Sequence, residues 1–341
     1  MARPVRVDTV SAIQPELQEY AAAAMAQYAV GEAELGFLGH SENATFRVQV
    51  HDGGRYLLRI HRPVSGAADD VWQRPDVIES ELLWLEALQG DADLAVPESV
   101  RNRRGNLLTE VGPGAGSEPL CGTLLRWVEG EPLAVDVRRT PAQAERLGAV
   151  LARLQQHAGR WQLPRGFTRP TYDWERLRAA MPELRAAVDA GVVSAADYAM
   201  LERAAHRIRP LLSSELPDRD GWGLIHADLH ESNYVLYRGD VRPIDFSRCG
   251  FGYDLYDVAM TLQHLHAELR RDLLRAYGSI RPLPADHQRA LEGFLVAAMI
   301  EGYGFHASNP EQHAWLARSV RYVADRHVRH YLDGEPFLFS V

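Results

Sequence analysis

Residues 222–257 constrain this chain more than any other stretch. Within them His226, Asp228 and Asn233 stand as His-x-Asp-x-x-x-x-Asn. An apolar run from Tyr234 to Tyr237 follows, then a polar turn at Arg238-Gly239-Asp240. A second short run, Val241 to Ile244, ends in Asp245. Two short apolar runs around a glycine-containing turn predict a β-hairpin, which folds the chain back on itself. The fold-back returns Asp245 to the neighbourhood of Asn233, although twelve positions separate them.

These residue types suit phosphoryl transfer from ATP, and the spacing is that of a kinase catalytic loop. The reaction needs Mg²⁺, a hard cation that takes oxygen ligands and keeps several waters. The Asn233 amide oxygen and the Asp245 carboxylate supply such ligands from the two ends of one hairpin. Asp228 is left to orient an attacking hydroxyl and accept its proton. His226 reads as a scaffold that holds the loop by hydrogen bonds rather than as a base. A lone His-x-Asp is common and a loop Asn is usually a turn residue. The conjunction of loop, strand, turn, strand and terminal Asp-Phe is what makes the pattern specific.

At 341 residues the chain exceeds the size at which one core stops growing, so two lobes are expected, 1–128 and 129–341. Apolar residues at 46% and charged residues at 24% describe an ordinary globular protein. No run approaches the length of a membrane-spanning helix, and the first residues lack a secretory apolar core. Only Cys121 and Cys249 are present, which argues against a disulfide framework and for a cytoplasmic location. The formal charge of −9, without a basic stripe, argues against nucleic acid and points weakly to a cationic small-molecule partner. All 37 basic residues are arginine, so any role that needs a lysine falls to Arg.

Taken from its start, the chain predicts an opening helix over Pro15 to Val30, then strands over Ala33–Leu38, Thr45–Val50 and Tyr56–His61. The loop Gly39-His40-Ser41-Glu42-Asn43 between the first two strands could offer N–H groups to a phosphate, with Ser41 and Asn43 its candidate contacts. Arg59 is a charge inside an apolar strand, either facing solvent or recruited to a partner. Asp76 to Glu79 resembles a capping box opening a helix on which Glu81 shares the apolar face of Ile78, Leu82 and Leu85. A carboxylate on that face wants a cation, and Arg59 is the natural one. Val96–Val100 and Asn106–Val111 suggest a further hairpin, and Gly112–Pro119 a loop. A strand from Cys121 to Val128 leads to a hinge at Arg126–Gly130, where backbone groups of Trp127 and Val128 would read adenine. Thr140-Pro-Ala-Gln143 predicts a capped helix start, and the rest reads as mostly helical. Asp257, in the first turn after the hairpin, either accepts bonds from the catalytic loop or simply suits a helix N-terminus.

His226-Ala-Asp228-Leu-His-Glu-Ser-Asn233 and Ile244-Asp245-Phe246 together resemble the aminoglycoside phosphotransferase and choline kinase-like family. The likeness spans nearly the whole chain, from Ser41-Glu42-Asn43 to Asp257. Cys249-Gly-Phe-Gly-Tyr253 and the tail Tyr331 to Phe339 look like a bacterial branch with homoserine kinase-like and stress-response kinase-like members. The resemblance implies an α+β bilobal protein kinase-like fold: a five-stranded sheet lobe with a helix, a larger helical lobe, and ATP between them. It implies Asp228 as base, Asn233 and Asp245 as Mg²⁺ ligands, and Glu81 as partner of the phosphate-binding cation. Arg59 stands where the family usually has Lys, and Ser247 where Gly usually follows Asp-Phe. The leading reading is an ATP- and Mg²⁺-dependent kinase acting on a small-molecule hydroxyl. A stress-response-type Ser/Thr protein kinase and a nucleotide-binding protein without catalysis stand beside it, and neither acceptor nor oligomeric state is legible.

Overall fold

The computed structural model describes residues 15–41, 43–62, 70–91, 94–112, 118–133, 138–213 and 221–340. Glu42 and most of the Gly112–Pro119 loop lie outside these residues. The helix α1 (Pro15–Met25) precedes three strands, β1 (Ala33–His40), β2 (Ala44–Val50) and β3 (Arg55–His61). Helix α2 (Pro75–Leu88) and strands β4 (Ser99–Val100), β5 (Thr109–Val111) and β6 (Leu120–Arg126) follow. The six strands form one antiparallel sheet in the order β1-β2-β3-β6-β4, with β5 also on β6.

Two details differ from expectation. β4 and β5 do not form a hairpin with each other; they lie end to end along β6, Val100 opposite Leu124 and Val111 opposite Leu120. The turn between them exists, closed by the Asn102 N–H on Asn106 O at 2.9 Å and by the Asn102 side chain. One edge of the sheet is thus built from two short pieces, which gives six strands instead of five. Helix α2 has no capping box: Arg74 is its N-cap without a side-chain bond, Pro75 is the first helical residue and Asp76 lies in the first turn. Proline already fixes the entry dihedral and removes one orphan donor, so no side-chain cap is required.

The sheet separates two apolar cores. Phe46, Val48, Leu58, Ile60 and Leu124 pack with α1 on one face. Leu57 and Leu125 point the other way, into a larger core shared with α2 and the helices beyond. Alternation along β3 therefore sends Arg59, two residues from Leu57, to the α2 face.

After β6 the chain enters a smaller sheet, β7 (Glu131–Pro132) on β9 (Tyr234–Tyr237) and β9 on β10 (Asp240–Pro243). The β9–β10 connection has positive φ at both Arg238 and Gly239, the two-residue turn whose twist suits a hairpin. Gly130 approaches β9 so closely that a Cβ would stand 2.6 Å from Val235 Cγ2. A third sheet pairs β8 (Trp222–Ile225) with β11 (Gly250–Tyr253). Around these lie α3 (Pro141–Ala158), α4 (Trp174–Asp189), α5 (Ala195–Leu212), α6 (Asp254–Leu262), α7 (Ala267–Gly278) and α8 (His287–Ala307). Helices α9 (His313–Val323) and α10 (Arg329–Asp333) close the chain, joined by one π-helical turn at Ala324–Val328. The capping box at Thr140 and Gln143 is present, Oγ1 accepting from Gln143 N and Oε1 from Thr140 N. Helix α8 buries residues all round its circumference and runs against α4, α5 and α6. No helix among the described residues is long and apolar enough to cross a membrane.

Helices α3 and α7 cross at Gly148, where an added Cβ would sit 2.2 Å from the backbone oxygen of Leu273. Backbone cannot yield as a side-chain tip can, so Gly148→Ala should lower stability by about 2–3 kcal/mol, read as a lower urea midpoint.

Candidate active site

Asp228 lies in the loop between β8 and β9, and that loop is held from beneath. The wholly buried carboxylate of Asp257, in the first turn of α6, accepts the His226 N–H at 3.0 Å and the Ala227 N–H at 2.7 Å. The Gln155 amide from α3 donates to the same carboxylate at 3.2 Å. Burial pushes the Asp257 carboxyl above its usual range, against the pull of His226 and these donors. The adjacent Ala227 has φ of 62°, a left-handed conformation that costs free energy for a non-glycine residue. That turn projects Asp228 away from the core.

His226 is fully buried, and burial lowers its pKa. Its Nδ1 accepts the Asp228 N–H at 3.3 Å, and its ring packs on Phe246 at 4.7 Å between centroids. The ring supports the loop from inside. Around Asp228 the structure gathers donors. Asn233 Nδ2 donates to the Asp228 carboxylate at 2.7 Å and to its backbone oxygen at 2.8 Å. His230 Nε2 stands 3.4 Å from the other carboxylate oxygen. Burial works to raise the Asp228 pKa, but His230, His226 and Arg248 outweigh it and hold the carboxyl below its usual range. With Nδ2 committed to Asp228, Asn233 keeps the opposite end of its amide, Oδ1, for another partner.

The hairpin returns Asp245 as its pairing requires. Pro243 lies opposite Tyr234, and the Ile244 N–H donates to Asn233 O at 3.0 Å. Asp245 thus directly follows the residue bonded to the Asn233 backbone, and its own Oδ1 accepts the Ser247 N–H at 2.9 Å. An Asn oxygen and an Asp carboxylate make an oxygen set suited to Mg²⁺ or Ca²⁺. Among the described residues no group of three or more His, Cys, Asp or Glu side chains is placed to hold a metal ion. Two protein oxygens suit an ion whose other ligands are phosphate and water.

Arg59 and Glu81 meet at 2.9 Å, each almost wholly buried. The Arg59 Nε donates to Thr123 Oγ1 on β6 at 3.3 Å. Burial disfavours the guanidinium charge, but Glu81 and Asp245 together raise its pKa, which places Arg59 within the field of Asp245. Its Nη2 is buried with no hydrogen-bond partner. An orphaned donor beside Asp245 fits an anionic group such as a phosphate.

The other nucleotide-side candidates are less tightly gathered. Ser41 is exposed and its N–H closes the β1–β2 turn on Asn43 O at 3.3 Å. The Asn43 Oδ1 is buried without a partner. Neither side chain bonds to the residues around Asp228. They overhang the sheet through Thr45, which pairs directly with Arg59. β1 itself continues past Leu38 to His40, through a bulge that leaves Leu38 unpaired. At the hinge the Trp127 N–H is already used on Arg55 O at 3.0 Å, so adenine recognition would fall to the Trp127 carbonyl and the Val128 backbone.

Sequence reasoning missed three residues that shape this site. His230 sits two positions after Asp228, and a second His in that loop was its only signal. Arg248, three positions after Asp245, adds to the pull that lowers the Asp228 pKa. Arg169, in the connection before α4, donates to Ser247 O at 2.6 Å, Cys249 O at 2.6 Å and Val77 O at 2.9 Å. It ties the segment after Asp245 to helix α2, and Phe246 adds an edge contact to Trp84 of α2. Nothing near Arg169 in sequence announces that role. The same clamp accounts for Ser247: a segment held by Arg169 through its Ser247 and Cys249 carbonyls does not need a glycine to turn over.

The sequence pattern of the phosphotransferase enzyme family matches residues 35–293. Amicoumacin kinase of Bacillus subtilis is 25% identical over 254 residues, 73% of this chain and 68% of that protein. A microcompartment-associated aminopropanol kinase superposes with a TM-score of 0.74 at 28% identity, covering 93% of this chain and 98% of the other. Choline kinase from Cryptosporidium parvum shares the fold, with a TM-score of 0.63 at 15% identity over 89% and 90% of the two chains. A mixed α/β chain with an antiparallel sheet lobe, a helical remainder and this loop-and-hairpin geometry belongs to the phosphotransferase enzyme family and is a kinase.

Proposed function

We propose that this protein transfers the γ-phosphoryl group of ATP to a hydroxyl of a small molecule, using Mg²⁺. The observation that carries the reading is the convergence of Asp228, Asn233 and Asp245 at one hairpin base, with Arg59 in the field of Asp245. The cleft would lie between residues 1–128 and 129–341, hinged at Trp127 and Val128. Bound metal would neutralise phosphate charge from the oxygens of Asn233 and Asp245. Arg59, braced by Glu81, would direct its unpartnered Nη2 to a phosphate oxygen. Asp228, kept ionised by its donors, would orient the acceptor hydroxyl. The acceptor oxygen attacks the γ-phosphorus, the bond to the bridging oxygen breaks, ADP leaves and the hydroxyl proton passes to Asp228. No covalent enzyme intermediate is needed; the residues position and neutralise.

A protein substrate is disfavoured because the stretch from Asp245 to α6 is short and occupied. Gly250–Tyr253 is already paired with β8, which leaves no long activation segment. Loss of catalysis is disfavoured because Arg59, the one departure among these residues, keeps its partner Glu81. Two free cysteines and use of ATP support a cytoplasmic protein.

Three outcomes test the reading. In an ADP-release assay against amino alcohols, sugars, hydroxy acids and aminoglycosides, Asp228→Asn should lower kcat by about 10²–10⁴-fold with an unchanged circular dichroism spectrum. Wild-type turnover in that variant would refute the assignment of the base. EDTA should abolish ADP release and excess Mg²⁺ should restore it, whereas Asp245→Asn should remain inactive at any Mg²⁺ concentration. Glu81→Ala strands a buried guanidinium and should cost about 3–5 kcal/mol, measured as a fall in Tm together with a higher KM for ATP.

A further inference from the structure

Arg59 meets Glu81 through a single pair of atoms, Nη1 on Oε1 at 2.9 Å, although a guanidinium and a carboxylate can pair through two parallel bonds. A second restraint comes from β6. Thr123 is the direct cross-strand partner of Arg59, and its wholly buried hydroxyl accepts from Arg59 Nε at 3.3 Å. His61, two residues beyond Arg59 on the same face of β3, brings Nε2 to 3.1 Å from that hydroxyl. One oxygen therefore sits between a guanidinium and an imidazole. Arg59, His61 and Glu81 are each more than nine-tenths buried around it.

One arrangement of protons satisfies every member of this set. Arg59 Nε–H can only donate, so it takes a lone pair of the Thr123 oxygen. The hydroxyl hydrogen then needs an acceptor, and His61 Nε2 lies within reach. Burial, with the neighbouring Arg59 charge, pushes the His61 pKa well below its usual range, which suits an accepting ring nitrogen. The bonds run from Arg59 to Thr123 to His61 and hold the guanidinium at its Nε edge, while Glu81 holds Nη1. Nη2 is left buried and without a partner. A lysine could not be held in this way, because its chain puts a methylene where Arg59 carries Nε.

We propose that Thr123 and His61 are positioning residues for nucleotide binding, holding the Arg59 guanidinium so that Nη2 stays off Glu81 and meets a phosphate oxygen. This rests on the reading of Arg59 as the phosphate-binding cation. Without the hydroxyl, the guanidinium swings into a two-bond pair with Glu81, and Nη2 is withdrawn from the phosphate. Thr123 and His61 act through Arg59 alone.

The test is the affinity of the full chain for ADP with Mg²⁺, read by isothermal titration calorimetry, which needs no acceptor. Thr123→Val should raise Kd by about 10-fold, as redirection of one charge-assisted hydrogen bond predicts. Thr123→Ser, which keeps the hydroxyl, should recover most of that loss. His61→Phe, which leaves the hydroxyl without its acceptor, should give a smaller loss in the same direction. In an Arg59→Lys background both losses should disappear, because no Nε–H is there to be held. A Kd unmoved by Thr123→Val, no recovery in Thr123→Ser, or a loss equally large in the lysine background overturns the inference and leaves the kinase reading intact. Should Thr123→Val fail to fold, His61→Phe compared in the arginine and lysine backgrounds decides in the same way. Absence of ADP binding to the wild-type chain would instead refute the kinase reading, and this role with it.

Discussion

The two hydrogen bonds from the His226 and Ala227 backbone to the buried carboxylate of Asp257 are the interaction on which the site depends. A loop with a strained residue at Ala227 does not keep its shape unaided. Asp257 is fixed by being in the first turn of α6 and by Gln155 from α3, so the loop inherits the rigidity of two packed helices. Without that carboxylate, two buried N–H groups would lack partners and Asp228 would lose its orientation. The charge on Asp257 is itself disfavoured by burial, and the donors around it offset that cost.

A second set of contacts joins the nucleotide side to the catalytic side. The Arg59–Glu81 pair connects β3 to α2, Arg169 connects α2 to the segment after Asp245, and the bond from the Ile244 N–H to Asn233 O connects that segment to the catalytic loop. Each link is buried or nearly so, where electrostatic interactions are strong and geometry is tightly held. The site is thus assembled by the fold itself, with no long segment that must be reordered first.

The hairpin was legible because a two-residue turn between apolar runs has few alternative geometries, and the fold-back of Asp245 onto Asn233 follows from pairing alone. The placement of Glu81 on the buried face of α2 followed from helical periodicity. The same local rules misjudged β4 and β5, whose turn is real but whose partner is β6, a choice made by sheet packing. They also assigned α2 a capping box that Pro75 makes unnecessary. Trp127 was expected to face adenine through its backbone, yet its N–H is taken by Arg55, a bond between strands that no local pattern reveals.

What the sequence determined by itself is the chemistry: which carboxylates and amide stand in the loop and hairpin, and the family they resemble. Spacing over a few residues carries that information because backbone geometry translates it directly into position. The tertiary structure decided which charges face one another. Arg169, His230 and Arg248 act across separations of many residues or from loops without periodicity, so their partners emerge only when distant elements pack together.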